Sequence, residues 1–345
     1  MPTSQEIVPI ARAKAPYFFG VDVGGTNIKI GLVDDSGATL DFEEIETHEP
    51  AGPQQAVDRV AETVQRIVAR CGAAREQIKR LGLGTPGTMD IPRGVFIEPP
   101  NLPNWYHFPI RDAVARACKL PVSFINDANA ASFGEFWVGT GAEHNSLILL
   151  TLGTGVGGGI IVDGHLINGV NSFGSECGHI IVDSCPQARL CVWGGGRGQL
   201  EAYASASALA QHAEQQLKQS VSSLTRLAMA GKAITAKRIY EAAEGGDDFS
   251  LSLIDETAFY LGIGITTLVH TIDPGIVVLG GAMNFGGPKS RVGQRFLAKV
   301  RGVFAERTFP NVLAGTKIDF ASLGGDAGYV GAAGFARKQF LNREE

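Results

Sequence analysis

The stretch VDVGGTNIKIGLVD, residues 21–34, sets two glycines and a threonine between runs of aliphatic residues, with Asp22 inside the first run. The pattern predicts two strands joined by a hairpin tip nearly bare of side chains. With no Cβ at Gly24 and Gly25, backbone N–H groups can point at a phosphate unobstructed, and Thr26 adds a hydroxyl donor. Asp22, just ahead of the turn, is placed to hold a Mg2+ ion through water. The stretch fits neither G-x-x-x-x-G-K-[ST] nor G-x-G-x-x-G, which speaks against a Walker loop and weakens a dinucleotide reading. A plain Gly-Gly hairpin, its aspartate satisfied by backbone groups, accounts for the same residues equally well.

Outward from this stretch, FFGVDV, IKIGLVD and ATLDFEEIET read as three consecutive strands, the last two joined by DDSG. AVDRVAETVQRIVAR (56–70) has helical apolar spacing, with Gly72 as its stop. RLGLGTPG returns to strand, RDAVARAC makes a short helix, and PVSFIND is a strand running into the helix ANAASFGEFWVG. SLILLTLGTGVGGGIIVDGHLING then repeats the opening layout of strand, glycine turn, strand. Residues from about 200 to 272 are mostly helical, IVVLGGAM (276–283) is a buried strand, and a last helix starts near Asp326. The alternation predicts an α/β protein of two related halves with a cleft between two lobes. The expected division is a loose tail over 1–16, a small lobe over 17–125 with the helix from about 326 to 345 packing back on it, and a large lobe over 126–325.

Bulk properties narrow the function classes. The chain has 345 residues, 44% hydrophobic and 19% charged, enough for a sizeable core, and its 45 glycines cluster at turns. A net charge of −5 gives no basic footprint for nucleic acid. Five cysteines, an odd number, suit a reducing compartment better than a disulfide framework. No run approaches the ~18 consecutive apolar residues of a membrane helix. The first 16 residues lack the apolar block of a signal peptide, so a cytoplasmic protein is expected.

The second glycine tip, TLGTGVGGG (151–159), offers Thr151, Thr154 and the backbone amides around Gly153 and Gly155. One such loop is weak evidence; two, each closing a strand pair, fit a nucleotide triphosphate gripped from both sides of a cleft. Gly280 and Gly281 would let a flat base approach the backbone, or simply turn the chain from strand to helix. In NDANAAS (126–132), Asp127 stands where strand gives way to helix. It can be the helix N-cap, a general base for a substrate hydroxyl in phosphoryl transfer, or both.

Taken in order, DVGGTN, NDANAA, LGTGVGGG, GSECGH and LEAYAS resemble the ROK sugar kinases, a family that includes bacterial glucokinases, over about residues 18–340. The resemblance implies an actin-like ATPase fold of the ribonuclease H-like kind, with ATP and Mg2+ as cofactors. It makes Asp127 the catalytic base and Asn126 a sugar ligand. PPNLPNW (99–105) resembles the sugar loop, so Asn101 is expected to bond a hydroxyl, and Gly87 in TPGT to line the same site. GSECGH matches G-x-E-x-G-H, which implies sugar contacts from Glu176 and His179, and LEAYAS adds Glu201. Asp22, Gly24, Gly25, Thr26, Thr151, Gly153, Thr154, Gly155, Gly280 and Gly281 are the expected nucleotide-binding residues. The family's frequent dimers imply a homodimer.

One departure stands out. Many family members bind zinc through a histidine and C-x-C-G-x-x-G-C before the L-E pair, whereas CVWGGGRGQLE (191–201) keeps only Cys191, with Trp193 and Gln199 in the other two places. Cys177, His179, Cys185 and Cys191 could form a substitute tetrahedral site; we expect instead that the metal is lost and that packing and local hydrogen bonds hold the loop. His107, His144, His165 and His270 read as structural, and the EEIE run (43–46) as a strand edge.

The expected activity is phosphorylation of the 6-hydroxyl of a hexose, most simply glucose. Fructose, mannose, N-acetylmannosamine and allose are alternatives, because discrimination rests on hydrogen-bond geometry at one carbon. Polyphosphate is an alternative donor. A sugar-responsive repressor needs a helix-turn-helix domain, and about 17 residues ahead of the first strand are too few for one. An actin-like or chaperone-like ATPase is disfavoured by the sugar-contact residues.

Overall fold

A computed structural model describes residues 6–99, 101–192, 195–217 and 220–342. The opening runs of aliphatic residues become β1 (Tyr17–Val23) and β2 (Asn27–Val33), followed by β3 (Thr39–Glu46). The turn between β2 and β3 is tied by Asp34, which is buried and accepts from the N–H groups of Lys14, Ser36 and Ala38 and from Ser36 Oγ. Helix α1 (Pro53–Cys71) buries Val57, Val60, Ala61, Val64 and Ile67, one face at helical spacing, and ends at Gly72 with φ 70°. Then come β4 (Ile78–Thr85), the short hairpin of β5 (Met89–Asp90) and β6 (Val95–Phe96), α2 (Ile110–Cys118), β7 (Val122–Asn126) and α3 (Asp127–Trp137).

The layout then recurs, with β8 (Leu147–Leu152), β9 (Val156–Val162) and β10 (His165–Leu166). Five helices follow: α4 (Glu201–Ala204), α5 (Ala206–Leu217), α6 (Leu224–Met229), α7 (Ala236–Glu244) and α8 (Asp248–Ile272). The chain finishes through β11 (Ile276–Gly280), α9 (Arg291–Ala305), α10 (Pro310–Gly315), β12 (Lys317–Phe320) and α11 (Ala327–Leu341).

Two five-stranded sheets result, in the orders β3-β2-β1-β4-β7 and β10-β9-β8-β11-β12. Position by position the two orders are the same. In each, the central strand that leads into the glycine tip and the two strands beyond it in the sheet are parallel: β1 with β4 and β4 with β7 in the first, β8 with β11 and β11 with β12 in the second. The repeated strand-turn-strand signature is therefore a repeated sheet.

By compactness the chain divides into two units, one running up to Glu143 with Gly159–Ser175 and everything from Ser322 onward, the other His144–Gly158 with Glu176–Ala321. The first unit thus takes in α3, beyond the boundary at 125/126 expected from the sequence. The segment expected as a loose tail is held from residue 8: Val8 N–H bonds Thr39 O at 2.8 Å, and Lys14 joins the Asp34 turn.

In the first unit, α11 lies directly on the sheet. An added methyl on Gly20 would overlap the carbonyl of Tyr329, and one on Gly82 the carbonyl of Ala332. On its other side α11 meets α3, where Gly331 faces the carbonyl of Ala130. Phe18, Val33, Tyr329, Val330 and Ala333 close this core. In the second unit α8 packs on α9, Gly262 against Val303. By length and composition α8 could cross a membrane, although it holds no run of ~18 consecutive apolar residues. However, 61% of its apolar window is buried in the protein, as in a core helix.

Candidate active site

The carboxyl ends of β1, β4 and β7 gather the first unit's candidate residues on one sheet edge. Asp22 pairs in register with Gly84, and Thr85 with Asn126, so the two aspartate-bearing ends lie two strand spacings apart, about 10 Å. Ligands of α/β sheets bind outside such strand ends. Burial pushes the Asp22 carboxyl up to about 6, with Lys29, its partner across β1–β2, pulling the other way. The carboxylate lies against Gly328 in the first turn of α11.

The hairpin tip is braced from below. Gly24 N–H bonds Asn27 O at 2.8 Å, Thr47 Oγ1 donates to Gly24 O at 2.6 Å, and Thr47 N–H donates to Thr26 O at 2.7 Å. Thr26 is left exposed at the tip. Gly25 faces Asn101, whose Cβ would sit 3.4 Å from a side chain added there. The loop carrying Asn101 is anchored by Leu102 and Trp105, both buried, and by Glu49, which accepts from the Asn104 N–H at 2.7 Å. Gly87 follows β4 with φ 83°, a conformation that favours glycine.

At the end of β7, Asn126 rather than Asp127 caps α3. Its Oδ1 accepts from the N–H groups of Ala128 and Asn129 at 3.0 and 3.4 Å. The N-cap reading of Asp127 is corrected accordingly: it is the first helical residue, and its Oδ1 accepts the Ala128 N–H at 2.8 Å. The cap also commits the Asn126 oxygen, so its amide nitrogen is the atom suited to a ligand.

In the second unit the matching strand ends are those of β8 and β11, with Thr151 opposite Gly280. The loop over residues 151–156 is fixed on three sides. Ala206 N–H donates to Gly153 O, Met283 N–H to Leu152 O, and Val156 N–H to Glu201 Oε2, at 2.8, 2.9 and 2.9 Å. A side chain on Gly155 would collide with the Glu201 carboxylate, whereas one on Gly153 would meet nothing within 4 Å. The fold explains the first glycine and not the second. Gly281 has φ 90° and presses on the backbone of Leu152, so packing within the sheet already requires it.

Glu176, His179 and Glu201 are neighbours in the same unit. His179 Nε2 lies 3.7 Å from Glu176 Oε2, and His179 Nδ1 bonds Gln199 Oε1 at 3.3 Å. Burial raises the Glu176 carboxyl, His179 counteracts this, and the Glu201 charge adds to it. Glu201 is more committed than expected of a ligand-only group, because Cys191 Sγ also donates to its Oε1 at 3.4 Å.

The four residues offered as a substitute zinc site do not assemble. Among the described residues no three His, Cys, Asp or Glu side chains are grouped to hold a metal ion. Cys185 Sγ donates to Gln187 at 3.1 Å, and burial pushes the Cys177 thiol up to about 12. Trp193 lies outside the described residues. The histidines read as structural behave so where bonds are seen: His165 closes its own turn on Asp163 O, and His270 bonds Thr308 Oγ1. β3 is the edge strand, and Glu43 pairs with Arg66 and Arg70.

Two residues near these groups, Lys29 and Glu135, escaped the sequence reading, and a third, Gln199, was noted there only in place of a zinc-ligand cysteine. Lys29 donates to Gly325 O at 2.5 Å beside Asp22, Gln199 holds His179, and Glu135 is a fully buried carboxylate two turns along α3 from Asp127. Only Glu135 carried a signal: a charge in an otherwise apolar helix.

The duplicated sheet with glycine tips at its strand ends defines an actin-like α/β protein. The ROK family model matches residues 18–339, and the chain belongs to that family. It is 33% identical over 330 residues to a glucokinase of Halalkalibacterium halodurans, covering 95% of this chain and 97% of that one. A crystal structure of a ROK family glucokinase from Streptomyces griseus, in complex with glucose and AMPPNP, superposes with a TM-score of 0.70 at 32% identity, covering 93% of this chain and 99% of that one. A xylose repressor of Caldicellulosiruptor bescii is 31% identical, over 88% of this chain and 74% of its own length.

Proposed function

We propose that the protein is a hexose kinase that transfers the γ-phosphoryl group of ATP to the 6-hydroxyl of glucose. The observation that carries this reading is the placement of Asp127 at the end of β7, on the sheet edge that also holds Asp22 and the glycine tip. Asp127 accepts the proton of the 6-hydroxyl, and that oxygen attacks the γ-phosphorus in line. In the first unit Asn101 and the Asn126 amide are suited to orient a sugar; in the second, Glu176 and His179 offer acceptors for sugar hydroxyls. The amides and hydroxyls of residues 24–26 in the first unit, and those of residues 151–155 in the second, are suited to phosphate. The raised, buried carboxyl of Asp22 is a group that gains from a cation, and it is the residue that would hold Mg2+. Bound there, the ion would neutralise charge on the phosphates. The glucokinase relatives support glucose as the sugar, and the glucose and AMPPNP complex of the S. griseus enzyme supports the pair of ligands. Five free thiols suit a cytoplasmic setting.

Asp127→Ala tests the assignment. Turnover in a coupled glucose 6-phosphate assay is expected to fall by roughly 10³-fold or more, with glucose affinity by calorimetry within a few-fold. Near-normal turnover would refute the role of Asp127. The similarity to a xylose repressor supports a second reading, a sugar sensor without catalysis, under which no hexose elicits ADP release.

A further inference from the structure

The zinc that the family resemblance implies does not fit the residues present. The loop from residue 180 to 200 is closed by the backbone instead: Val182 N–H to Gly198 O, Gly198 N–H to Arg189 O and Leu200 N–H to Ile180 O, at 2.8, 2.9 and 2.9 Å. These bonds set Gln199 opposite Ile181 in an antiparallel bridge and bring its side chain to the His179 ring.

We infer that Gln199 is the positioning residue for His179, holding its ring by a hydrogen bond in a loop whose residues do not fit a metal, and that it tunes the sugar site. The inference rests on the hexose-kinase reading only for the role of the sugar. An amide oxygen can only accept, so the 3.3 Å bond requires a proton on Nδ1, and in the neutral ring Nε2 then carries a lone pair. That lone pair stands 3.7 Å from a carboxylate oxygen of Glu176. In the neutral ring Nε2 and the Glu176 oxygen are two acceptors side by side, complementary to two donors close together. A pair of neighbouring hydroxyls on a sugar ring supplies them. With the ring turned, or the proton on Nε2, one of the two acceptors becomes a donor and the match is lost.

The test joins a spectrum with kinetics. In the wild-type protein, long-range ¹H–¹⁵N spectra are expected to show His179 as the Nδ1–H tautomer, and elemental analysis to show no stoichiometric zinc. Gln199→Met removes the acceptor at similar volume and is expected to mix the tautomers and raise the glucose KM about tenfold, the worth of one hydrogen bond. The kcat and the ATP KM should stay within about twofold, because the bond orients a sugar contact and not the transferring phosphoryl group. A purely structural role would instead move kcat, both KM values and thermal stability together. An Nε2–H tautomer, stoichiometric zinc, or an unchanged glucose KM in an active Gln199→Met protein would overturn the inference. If the wild type phosphorylates no hexose, the kinase reading fails, and the tautomer spectrum still decides the Gln199 bond.

Discussion

Asp22 faces Lys29 across one strand pair and Gly84 across the other, and burial holds its carboxyl near 6, above the ordinary value of 3.8. A carboxyl raised in the folded state keeps its proton there after the unfolded chain has lost it. Its contribution is therefore most favourable below pH 3.8 and is lost as pH rises through about 6. At neutral pH the charge costs on the order of 2–3 kcal/mol, so it works against stability there. Asp22→Asn is expected to melt at a higher temperature than wild type at pH 7.5 and to lose that advantage near pH 4, while turnover falls at least 100-fold. A variant less stable than wild type at pH 7.5 would contradict this account. The cysteines give a second check at the same scale. Cys185 is exposed, whereas Cys118 and Cys177 are buried with thiols pushed up to about 12. A thiol reagent at pH 7.5 should label Cys185 in the native protein and reach Cys118 and Cys177 only after denaturation.

Between elements, Glu135 ties α3 to the chain where it re-enters the first unit. Its carboxylate accepts from the N–H groups of Thr140, Ser322 and Leu323 at 2.8, 3.0 and 2.8 Å, and from Ser322 Oγ at 3.2 Å. Glu135→Ala strands these donors and is expected to cost about 3 kcal/mol or more in urea unfolding. Glu135→Gln, which keeps one acceptor, should cost less. The approach of α11 makes a parallel demand: Gly82→Ala would drive a methyl into the backbone of Ala332 and should destabilise by a similar amount, with no solvent-side remedy. Hairpins, α1 and α11 were legible because period and punctuation agree, as at Val57, Val60, Val64 and Gly72. β12 was not, since KIDF alternates over only four residues, and α9 went unread although Val292, Phe296, Val300 and Val303 mark a buried face. The cap on α3 was read one residue late, because Asn and Asp adjoin there and both suit that position.

Over the whole chain, one sheet order is used twice, and each copy ends its inner strands in glycine-bearing loops. This duplication was visible in the two strand-turn-strand stretches, and so were the residues that the strand ends carry. What the sequence did not disclose are groups whose roles depend on distant partners: Lys29 on Gly325, Glu135 on Leu323 and Gln199 on His179. Gly281 misled in the opposite direction, since its glycine answers to Leu152 and needs no bound base to explain it. The central claim is that this chain moves a phosphoryl group from ATP to a hexose. Its most direct measurement is ADP release by the purified wild-type protein with ATP and Mg2+ across a panel of hexoses, each product identified by mass. The account predicts release that depends on the sugar, fastest with glucose and matched by glucose 6-phosphate. ADP release at the same rate with no sugar, or none with any hexose, would contradict it.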